Sequence, residues 1–335
     1  MRFDVDPWDP GYGTALDPDL VLAETAASVN LDVEVPAARW SAVVRPQVPA
    51  PSTVLFVDGV RRIDAHVWVR DGEARGGGNG GGGYGGGGYG GGGGFGATEG
   101  ICASYAAGVV ASAGQTARLS ATEVRRGLFT SAGNATGVTT RTAQYPLRAA
   151  APDGASDVLS LALQGQLAAV EDTAARHARV VIGESDDLLV VDGPLHGRGD
   201  LPRTVGLVKT HRATYLPGPL HTLVASLRAA ERTPVFLIGT SWQRYSWYLR
   251  LPCPVGAPWA GVVRCEASGE TAVEAVLGLA TRTQVVLPRF ASCEYKDARA
   301  PQNLYPIAGL ERELRRRLGD QALLYRGLRA ASVAS

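Results

Sequence analysis

The segments STVLFVDGV (52–60) and DDLLVVDGPL (186–195) share a continuous apolar run that ends in Asp-Gly. An unbroken apolar run of this length is typical of a strand that is covered on both faces of a sheet. The first run ends at Asp58 and the second at Asp192. The two segments therefore predict two central strands, each of which delivers an aspartate to the edge of the sheet.

Two further segments predict strands beside the first one. The segment IDAHVWVRDG (63–72) alternates apolar and polar residues, and it follows 52–60 closely enough to form an antiparallel hairpin with it. Its final Asp71-Gly72 is interpreted as a turn. The segment GICASYAAGVVAS (100–112) predicts the third strand. Three antiparallel strands are thus expected before the first long helix.

The segment SDVLSLALQGQLAAVEDTAARHA (156–178) has the apolar spacing of a helix, with Ser156 or Asp157 as its N-cap. Three strands followed by a helix and a strand is the order of an RNase H-like core. We therefore expect an α/β fold, with an RNase H-like mixed sheet that is flanked by helices. Further helices are predicted over 19–28, 219–232, 271–283 and 305–331, the last broken at Gly319, and strands over 203–211 and 234–268.

The chain is expected to consist of an N-terminal arm or cap over 1–50 and one domain over 51–331. A glycine-rich tract, 75–97, interrupts this domain. Ordering so many glycines costs more entropy than the tract can offset by burial, so it is interpreted as a flexible loop inserted between two strands. It lacks the fixed glycine spacing of a phosphate-binding loop. Its scattered aromatic residues could instead contact single-stranded bases.

The charges almost cancel, because 33 basic and 32 acidic residues leave a formal net charge of +1. A global basic field for nucleic acid is therefore excluded, and any phosphate-binding surface must come from local clustering. None of the four cysteines forms a CxxC pair, which disfavours a zinc knuckle or a thioredoxin motif. No apolar run reaches the length of a membrane span, and no leader sequence is recognisable. We expect a soluble protein of the cytoplasm, without membrane association.

Asp58 and Asp192 are the first candidates for chemistry. An Asp-Gly pair after a strand often forms only a turn. Carboxylates at the ends of central strands, however, converge at one edge of a sheet, where they can bind a divalent cation. The glycine that follows each aspartate lets a backbone or a phosphate approach closely. These two aspartates therefore predict the core of a metal site.

The helix over 156–178 offers a third acid. Glu171 lies on or beside its apolar stripe, whereas Asp172 points further round, towards solvent. An acid on a buried face is costly unless it meets a metal or a base. Glu171 is therefore a candidate ligand, although pairing with an arginine at the edge of the stripe remains an alternative.

Four later residues complete the candidate site, each with an alternative role. Lys209 lies late in a strand, where it could neutralise a phosphate or simply close the edge of the sheet. Asp297 could complete the metal site or form a turn. Tyr248 is a candidate substrate contact or a packing residue, and Arg264 could contact substrate or pair with Glu266.

The ordered series FVDGVRR, LLVVDGPL, VGLVKTH, RYSWYLRLP, VVRCEAS and NLYPIAGLERELR resembles the NurA nuclease family over about residues 50–330. The resemblance implies an RNase H-like nuclease domain over 51–331 that depends on Mn²⁺ (or Mg²⁺). It also implies a homodimer that degrades DNA from its ends and works with a HerA-type hexameric translocase in double-strand break repair.

Transferred to this sequence, the resemblance implies a metal site of Asp58, Glu171, Asp192 and Asp297. Lys209 joins the catalytic group, and Lys209, Tyr248 and Arg264 are expected to contact substrate. The long interval between Asp58 and Glu171 departs from the compact family pattern, so Glu123 remains an alternative to Glu171.

Two other functions are considered. The same fold could serve as a non-catalytic adaptor of a ring translocase, with a degraded metal site. An actin-like ATPase would need a second phosphate loop, for which GPLHGRGD (193–200) is a poor match.

Overall fold

The computed structural model describes most of the chain, namely residues 23–24, 27–70, 97–150, 156–182, 186–195, 200–211, 213–254 and 256–334. The glycine-rich tract predicted over 75–97 lies outside the described residues, except for Ala97. Residues 196–199, half of the segment that poorly matches a second phosphate loop (193–200), and the Asp71-Gly72 turn also lie outside them. None of the helices in the described residues is long and apolar enough to cross a membrane.

The described residues contain strands β1 to β14 and helices α1 to α5. The strands are Ala23–Glu24 (β1), Ser28–Asn30 (β2), Thr53–Arg70 (β3), Ala97–Ala113 (β4), Thr116–Thr130 (β5), Val138–Thr139 (β6), Gln144–Tyr145 (β7), Leu147–Ala149 (β8), Leu188–Asp192 (β9), Thr204–Val208 (β10), Ala213–Thr214 (β11), Phe236–Gly239 (β12), Gln243–Arg250 (β13) and Val262–Ser268 (β14). The α-helices are Ser156–Ile182 (α1), Gly218–Ser226 (α2), Val273–Val286 (α3), Tyr305–Arg317 (α4) and Gln321–Ala334 (α5), with 3-10 turns at Ala37–Arg39 and Leu287–Phe290.

Ten strands form one mixed sheet in the order β2-β12-β13-β14-β10-β9-β3-β4-β5-β8. Strand β9 is parallel to both β3 and β10, whereas β14 is antiparallel to β10 and β13. The run β5-β4-β3-β9-β10, with α1 between β5 and β9 in the chain, is the strand order of an RNase H-like core. The expected α/β class, with a mixed sheet flanked by helices, is therefore confirmed.

The hairpin predicted from 52–60 and 63–72 is wrong, because β3 is one continuous strand from Thr53 to Arg70. Asp58-Gly59 lies inside this strand, and its backbone stays extended. An Asp-Gly pair turns the chain only where the glycine adopts a turn conformation, and here the pairing of β3 overrides that local preference. At Asp192 the prediction of a strand end is confirmed, since Gly193 has a φ of +96°.

The boundaries of three predicted helices can be compared with the structure. The helix predicted over 19–28 is wrong where the structure describes it, because the short strands β1 and β2 lie there. The helix expected over 219–232 ends at Ser226, and Ala230 with a φ of +66° lies in the turn that follows. The helix pair broken at Gly319 is confirmed as α4 and α5, with a φ of +87° at that glycine.

The chain divides into two compact units. The first comprises residues 1–58, 107–122 and 171–313, and the second comprises 59–106, 123–170 and 314–335. Strand β2, which lies in the predicted arm or cap (1–50), pairs with β12. The division into an arm or cap over 1–50 and one domain over 51–331 stays a prediction.

The first unit has a hydrophobic core on each face of its strands. Phe56, Val190 and Leu207 belong to the core that packs against α3 and the start of α4. Val57 and Val191, their neighbours along the chain, belong to the core beneath α1. This alternation is the period-2 pattern of strands buried on both faces. It also determines on which face of the sheet the next residues of β3 and β9 project their side chains.

The second unit is built around its own core, in which Cys102, Leu128 and Tyr145 pack against Leu324 and Leu328 of α5. Asp64 is a buried carboxylate of this unit. Asp64 accepts hydrogen bonds from Arg62 Nε (2.8 Å) and from the hydroxyls of Tyr145 (3.0 Å) and Ser104. This cluster therefore stabilises the fold rather than offering a reactive group.

Candidate metal centre

Asp58 and Asp192 lie side by side on neighbouring parallel strands. The register pairs Val57 with Val191, so the next residue of each strand is an aspartate. Both aspartates come two residues after a core residue on the α3 and α4 side, Phe56 in β3 and Val190 in β9. Their carboxylates therefore project from the same face of the sheet.

Glu311 of α4 completes a group of three carboxylates. One carboxylate oxygen from each of Asp58, Asp192 and Glu311 lies within 4.8 Å of the other two. Glu311 lies four residues after Ile307, which packs in the core, so the same helix face carries both side chains. The sequence prediction missed Glu311, although an acid within the apolar stripe of Ile307 and Leu314 is the same signal that selected Glu171.

The electrostatics of this group favour a cation. Burial raises the pKa of the Asp58 carboxyl well above its usual range, and the neighbouring charge of Asp192 raises it further. Lys209 lowers the pKa of Asp58, whereas Glu311 and Glu171 raise it. Several carboxylates that share a buried site cannot all carry a negative charge unless a positive charge joins them.

Lys209 supplies one positive charge. Its Nζ donates to Asp192 Oδ2 at 2.6 Å and to Asn303 Oδ1 at 3.0 Å. The other oxygen of Asp192, Oδ1, is buried and accepts no hydrogen bond from the described residues. A buried carboxylate oxygen without a donor fits a metal ligand, and a donor set made only of oxygens suits Mg²⁺ or Mn²⁺.

Glu171 is buried, as predicted, with 6% of its surface exposed. It lies on α1 next to Val170, a buried residue, and its charge raises the pKa of Asp58. It is not one of the three carboxylates that share the 4.8 Å group. Its role as a metal ligand therefore stays a prediction. The alternative, Glu123, forms an ion pair with Arg125.

Asp297 supports the site rather than joining the carboxylate group. Its Oδ2 accepts a hydrogen bond from Asn303 Nδ2 at 2.7 Å, and its Oδ1 accepts one from the backbone N–H of Arg299 at 2.8 Å. The Arg299 guanidinium in turn binds both oxygens of Glu311, with a distance of 2.8 Å from Nη1 to Oε1. Glu311, rather than Asp297, thus shares the carboxylate group with Asp58 and Asp192. The metal role of Asp297 stays a prediction.

These contacts form a chain of partners around the site. Asp192 contacts Lys209, which contacts Asn303. Asn303 contacts Asp297, and Arg299 contacts both Asp297 and Glu311. We call this arrangement the carboxylate network.

The two remaining candidates, Tyr248 and Arg264, are buried. Burial raises the pKa of Tyr248, whose ring packs against Phe236 and Trp259. Arg264 donates to Glu266 at 2.8 Å, as the pairing alternative predicted. Their substrate contacts stay predictions, and this geometry favours packing and pairing instead.

Glu266 contacts the segment that follows Asp192. Its Oε1 accepts from Arg244 at 3.0 Å, and its Oε2 accepts from the backbone N–H of Leu195 at 3.2 Å. Gly206 lies beneath the same segment, where an added Cβ would come within 2.9 Å of the Gly193 carbonyl oxygen and the Leu195 nitrogen. Gly206 and Glu266 therefore hold the segment that directly follows Asp192.

The fold and the site together define an RNase H-like α/β protein with a buried carboxylate cluster next to a lysine. No protein-family model matches the chain, and no curated protein matches it. Among solved structures, the chain is similar to the NurA nuclease from Sulfolobus solfataricus. The TM-score is 0.40 and the sequence identity 10%, over 83% of this chain and 84% of that chain. A likeness at this level assigns no function to this chain.

Proposed function

We propose that this chain is a metal-dependent nuclease that hydrolyses DNA. The observation that carries the proposal is the convergence of Asp58, Asp192 and Glu311, with one oxygen of each within 4.8 Å of the others. Carboxylates that gather on a central sheet beside a cationic side chain are suited to bind a divalent cation and a phosphate together.

The residues of the site would have different roles. Asp58, Asp192 and Glu311 would hold the metal, and Glu171 is proposed as a further ligand. A bound divalent cation lowers the pKa of a coordinated water and stabilises charge on the scissile phosphate. Lys209 would offer its positive charge to a phosphate oxygen.

The carboxylate network would keep the ligands in place. Arg299 binds both oxygens of Glu311, which fixes the direction of that carboxylate. Asn303 accepts from Lys209 and donates to Asp297, so it fixes the ammonium group. Such supporting contacts orient metal ligands and tune their affinity.

The finer parts of the proposal rest on the ordered motifs that resemble NurA. They are manganese as the preferred metal, degradation of DNA from its ends, a homodimer, a HerA-type translocase as partner, action in double-strand break repair and a cytoplasmic location.

The test replaces Asp58 with asparagine, which keeps the size of the side chain and removes its charge. We expect Asp58→Asn to lower Mn²⁺-dependent cleavage of linear DNA by at least about a hundredfold, since a metal ligand is lost. Asp172→Asn is the matched control, because Asp172 on α1 pairs with Arg176 instead. Circular dichroism verifies folding.

An undiminished rate for Asp58→Asn would contradict the proposal. A wild-type protein that neither cleaves DNA nor binds Mn²⁺ in calorimetric titration would contradict it too, and would favour the non-catalytic adaptor.

A further inference from the structure

The second unit carries an excess of positive charge that the net charge of the chain conceals. Its three segments, 59–106, 123–170 and 314–335, contain 13 basic and 8 acidic residues, whereas the rest of the chain contains 20 and 24. The two opposite excesses nearly cancel in the total of +1. Local clustering of arginine is therefore a property of the second unit.

Four of these arginines line one open cleft of about 680 Å³. Arg125 and Arg126 belong to β5, Arg148 belongs to β8, and Arg141 lies in the connection between β6 and β7. We call this feature the arginine cleft. Among the described residues that line it, none is acidic.

The backbone explains why this cleft exists. Strand β8 pairs with β5 only from Leu128 to Thr130, so residues 124–126 extend beyond the paired part of the strand. Gly127 lets the Arg148 side chain cross β5, because a Cβ at this glycine would lie 2.8 Å from Arg148 Cγ. The Thr140 hydroxyl accepts hydrogen bonds from the backbone N–H groups of residues 142 and 143, which shapes the opposite wall.

The positive charges in the cleft are mostly uncompensated. Arg125 pairs with Glu123, and its Nε lies 2.6 Å from Oε1. Arg126 donates to the backbone carbonyl of Leu318, at 3.0 Å. Within the part of the chain that the structure describes, Arg126, Arg141 and Arg148 have no carboxylate at ion-pair distance. The cleft therefore has three cationic groups in excess.

We propose that the arginine cleft binds the phosphate backbone of nucleic acid, as a binding site in addition to the carboxylate cluster. Guanidinium groups match phosphate oxygens with two parallel hydrogen bonds, and several of them in one cleft suit a chain of phosphates. A protein partner would instead require an apolar centre, and the lining is mainly arginine, threonine and glutamine. The choice of nucleic acid over other polyanions rests on the proposed nuclease function.

The test measures binding of a fluorescein-labelled DNA duplex by fluorescence anisotropy in EDTA, so that cleavage plays no part. The variant Arg141→Gln/Arg148→Gln removes two of the three cleft charges that have no carboxylate partner among the described residues. Circular dichroism verifies that it folds. Arg39→Gln/Arg45→Gln is the matched control, since both of these arginines are exposed and lie in the first unit.

We expect the cleft variant to raise Kd by at least about tenfold at 0.1 M salt, and the control to stay within about twofold. The slope of log Kd against log salt should fall by about two in the cleft variant, because two phosphate contacts are lost. Equal binding by the cleft variant and the control would overturn the proposal.

Two competition arms identify the ligand. Polyaspartate and inorganic phosphate are added at the same charge concentration as unlabelled DNA. If both compete weakly with the labelled duplex, the result supports a nucleic-acid site. If either one displaces the labelled duplex as effectively as unlabelled DNA does, the assignment to nucleic acid is overturned. Because the binding assay contains no metal, its result is independent of Asp58, and a failure of the nuclease proposal is recognised separately by the cleavage assay.

Discussion

Lys209 Nζ lies 2.6 Å from Asp192 Oδ2, and this ion pair links the two functions that the sequence assigned to these residues separately. Asp192 was predicted to bind a metal, and Lys209 to neutralise a phosphate. Their contact means that the positive charge of the lysine offsets part of the negative charge of the carboxylate cluster. For the same reason the lysine lowers the pKa of Asp58, which favours its ionised form.

The first prediction concerns this lysine. Lys209→Met keeps most of the side-chain volume and removes the charge, so the pKa of Asp58 should rise further. We expect DNA cleavage to fall by about ten- to a hundredfold and the acidic limb of its pH profile to move to higher pH. Lys209→Arg should restore part of the rate. A rate loss with an unchanged pH profile would contradict the link between Lys209 and Asp58.

The second prediction concerns the release of protons by metal binding. The pKa of Asp58 is raised, so part of the population is protonated at a pH where an ordinary aspartate is fully charged. A divalent cation binds the carboxylate and expels that proton, so affinity should increase with pH. Calorimetric Mn²⁺ titrations in two buffers with different ionisation enthalpies measure the number of protons released. An affinity that does not vary with pH would contradict this prediction.

The third prediction decides between Glu311 and Asp297 as the last ligand. Glu311 shares the 4.8 Å group, whereas Asp297 contacts Asn303 and Arg299. We expect Glu311→Gln to weaken Mn²⁺ binding by about a hundredfold, and Asp297→Asn to weaken it by about tenfold, as for a supporting contact. Glu313→Gln on the same helix is the control. The reverse order of the two effects would restore Asp297 as the ligand.

The fourth prediction concerns the segment after Asp192. A Cβ at Gly206 would lie 2.9 Å from two backbone atoms of that segment, so Gly206→Ala must displace it. We expect a loss of stability of about 1–3 kcal/mol, as for overpacking, together with weaker Mn²⁺ binding. Thermal unfolding and metal titration measure the two effects. Gly165→Ala on α1, where an added Cβ meets no atom within 4 Å, should leave Mn²⁺ binding unchanged and raise the stability by about 0.5–1 kcal/mol, because alanine favours a helix interior over glycine.

The fifth prediction concerns the stability at low pH. Burial lowers the pKa of His211 to about 4, and its Nε2 lies 3.0 Å from the Val262 carbonyl oxygen. The unfolded chain takes up a proton near the ordinary pKa of 6.5, whereas the folded chain does not until about pH 4. The free energy of unfolding should therefore decrease between pH 6.5 and 4, by up to about 3 kcal/mol.

His211→Gln separates this contribution from those of other groups. Glutamine can donate to the same carbonyl but does not titrate, so the variant should lose less stability than the wild type over this pH interval. Denaturant unfolding at a series of pH values measures the difference. Parallel curves for the two proteins would contradict the prediction.

The central strands and the neighbouring aspartates could be predicted because the information is local. A run such as residues 54–57 must be covered on both faces, and the parallel register then brings Asp58 next to Asp192. The course of the chain after Asp58 could not be predicted in this way. A turn and a continued strand are both compatible with Asp-Gly, and only pairing with neighbouring strands decides between them.

Glu311 shows a different limit of prediction from the sequence. Its place in the apolar stripe of α4 could be recognised in the sequence, but nothing local indicates that this helix covers Asp58 and Asp192. The resemblance to NurA implies Asp297 instead, which precedes α4 in the chain. Tyr248 is a comparable case, because strand periodicity shows which face a ring takes but not that Phe236 and Trp259 enclose it.

The carboxylate network has a consequence for how the protein matures. Asp192 and Glu311 each have a cationic partner that belongs to the chain itself, Lys209 and Arg299 respectively. These two carboxylates are therefore already compensated in the folded chain without an ion. Under the proposed function, ion capture would then be a reversible step that follows folding, and the ions available at that time would decide which one the centre takes.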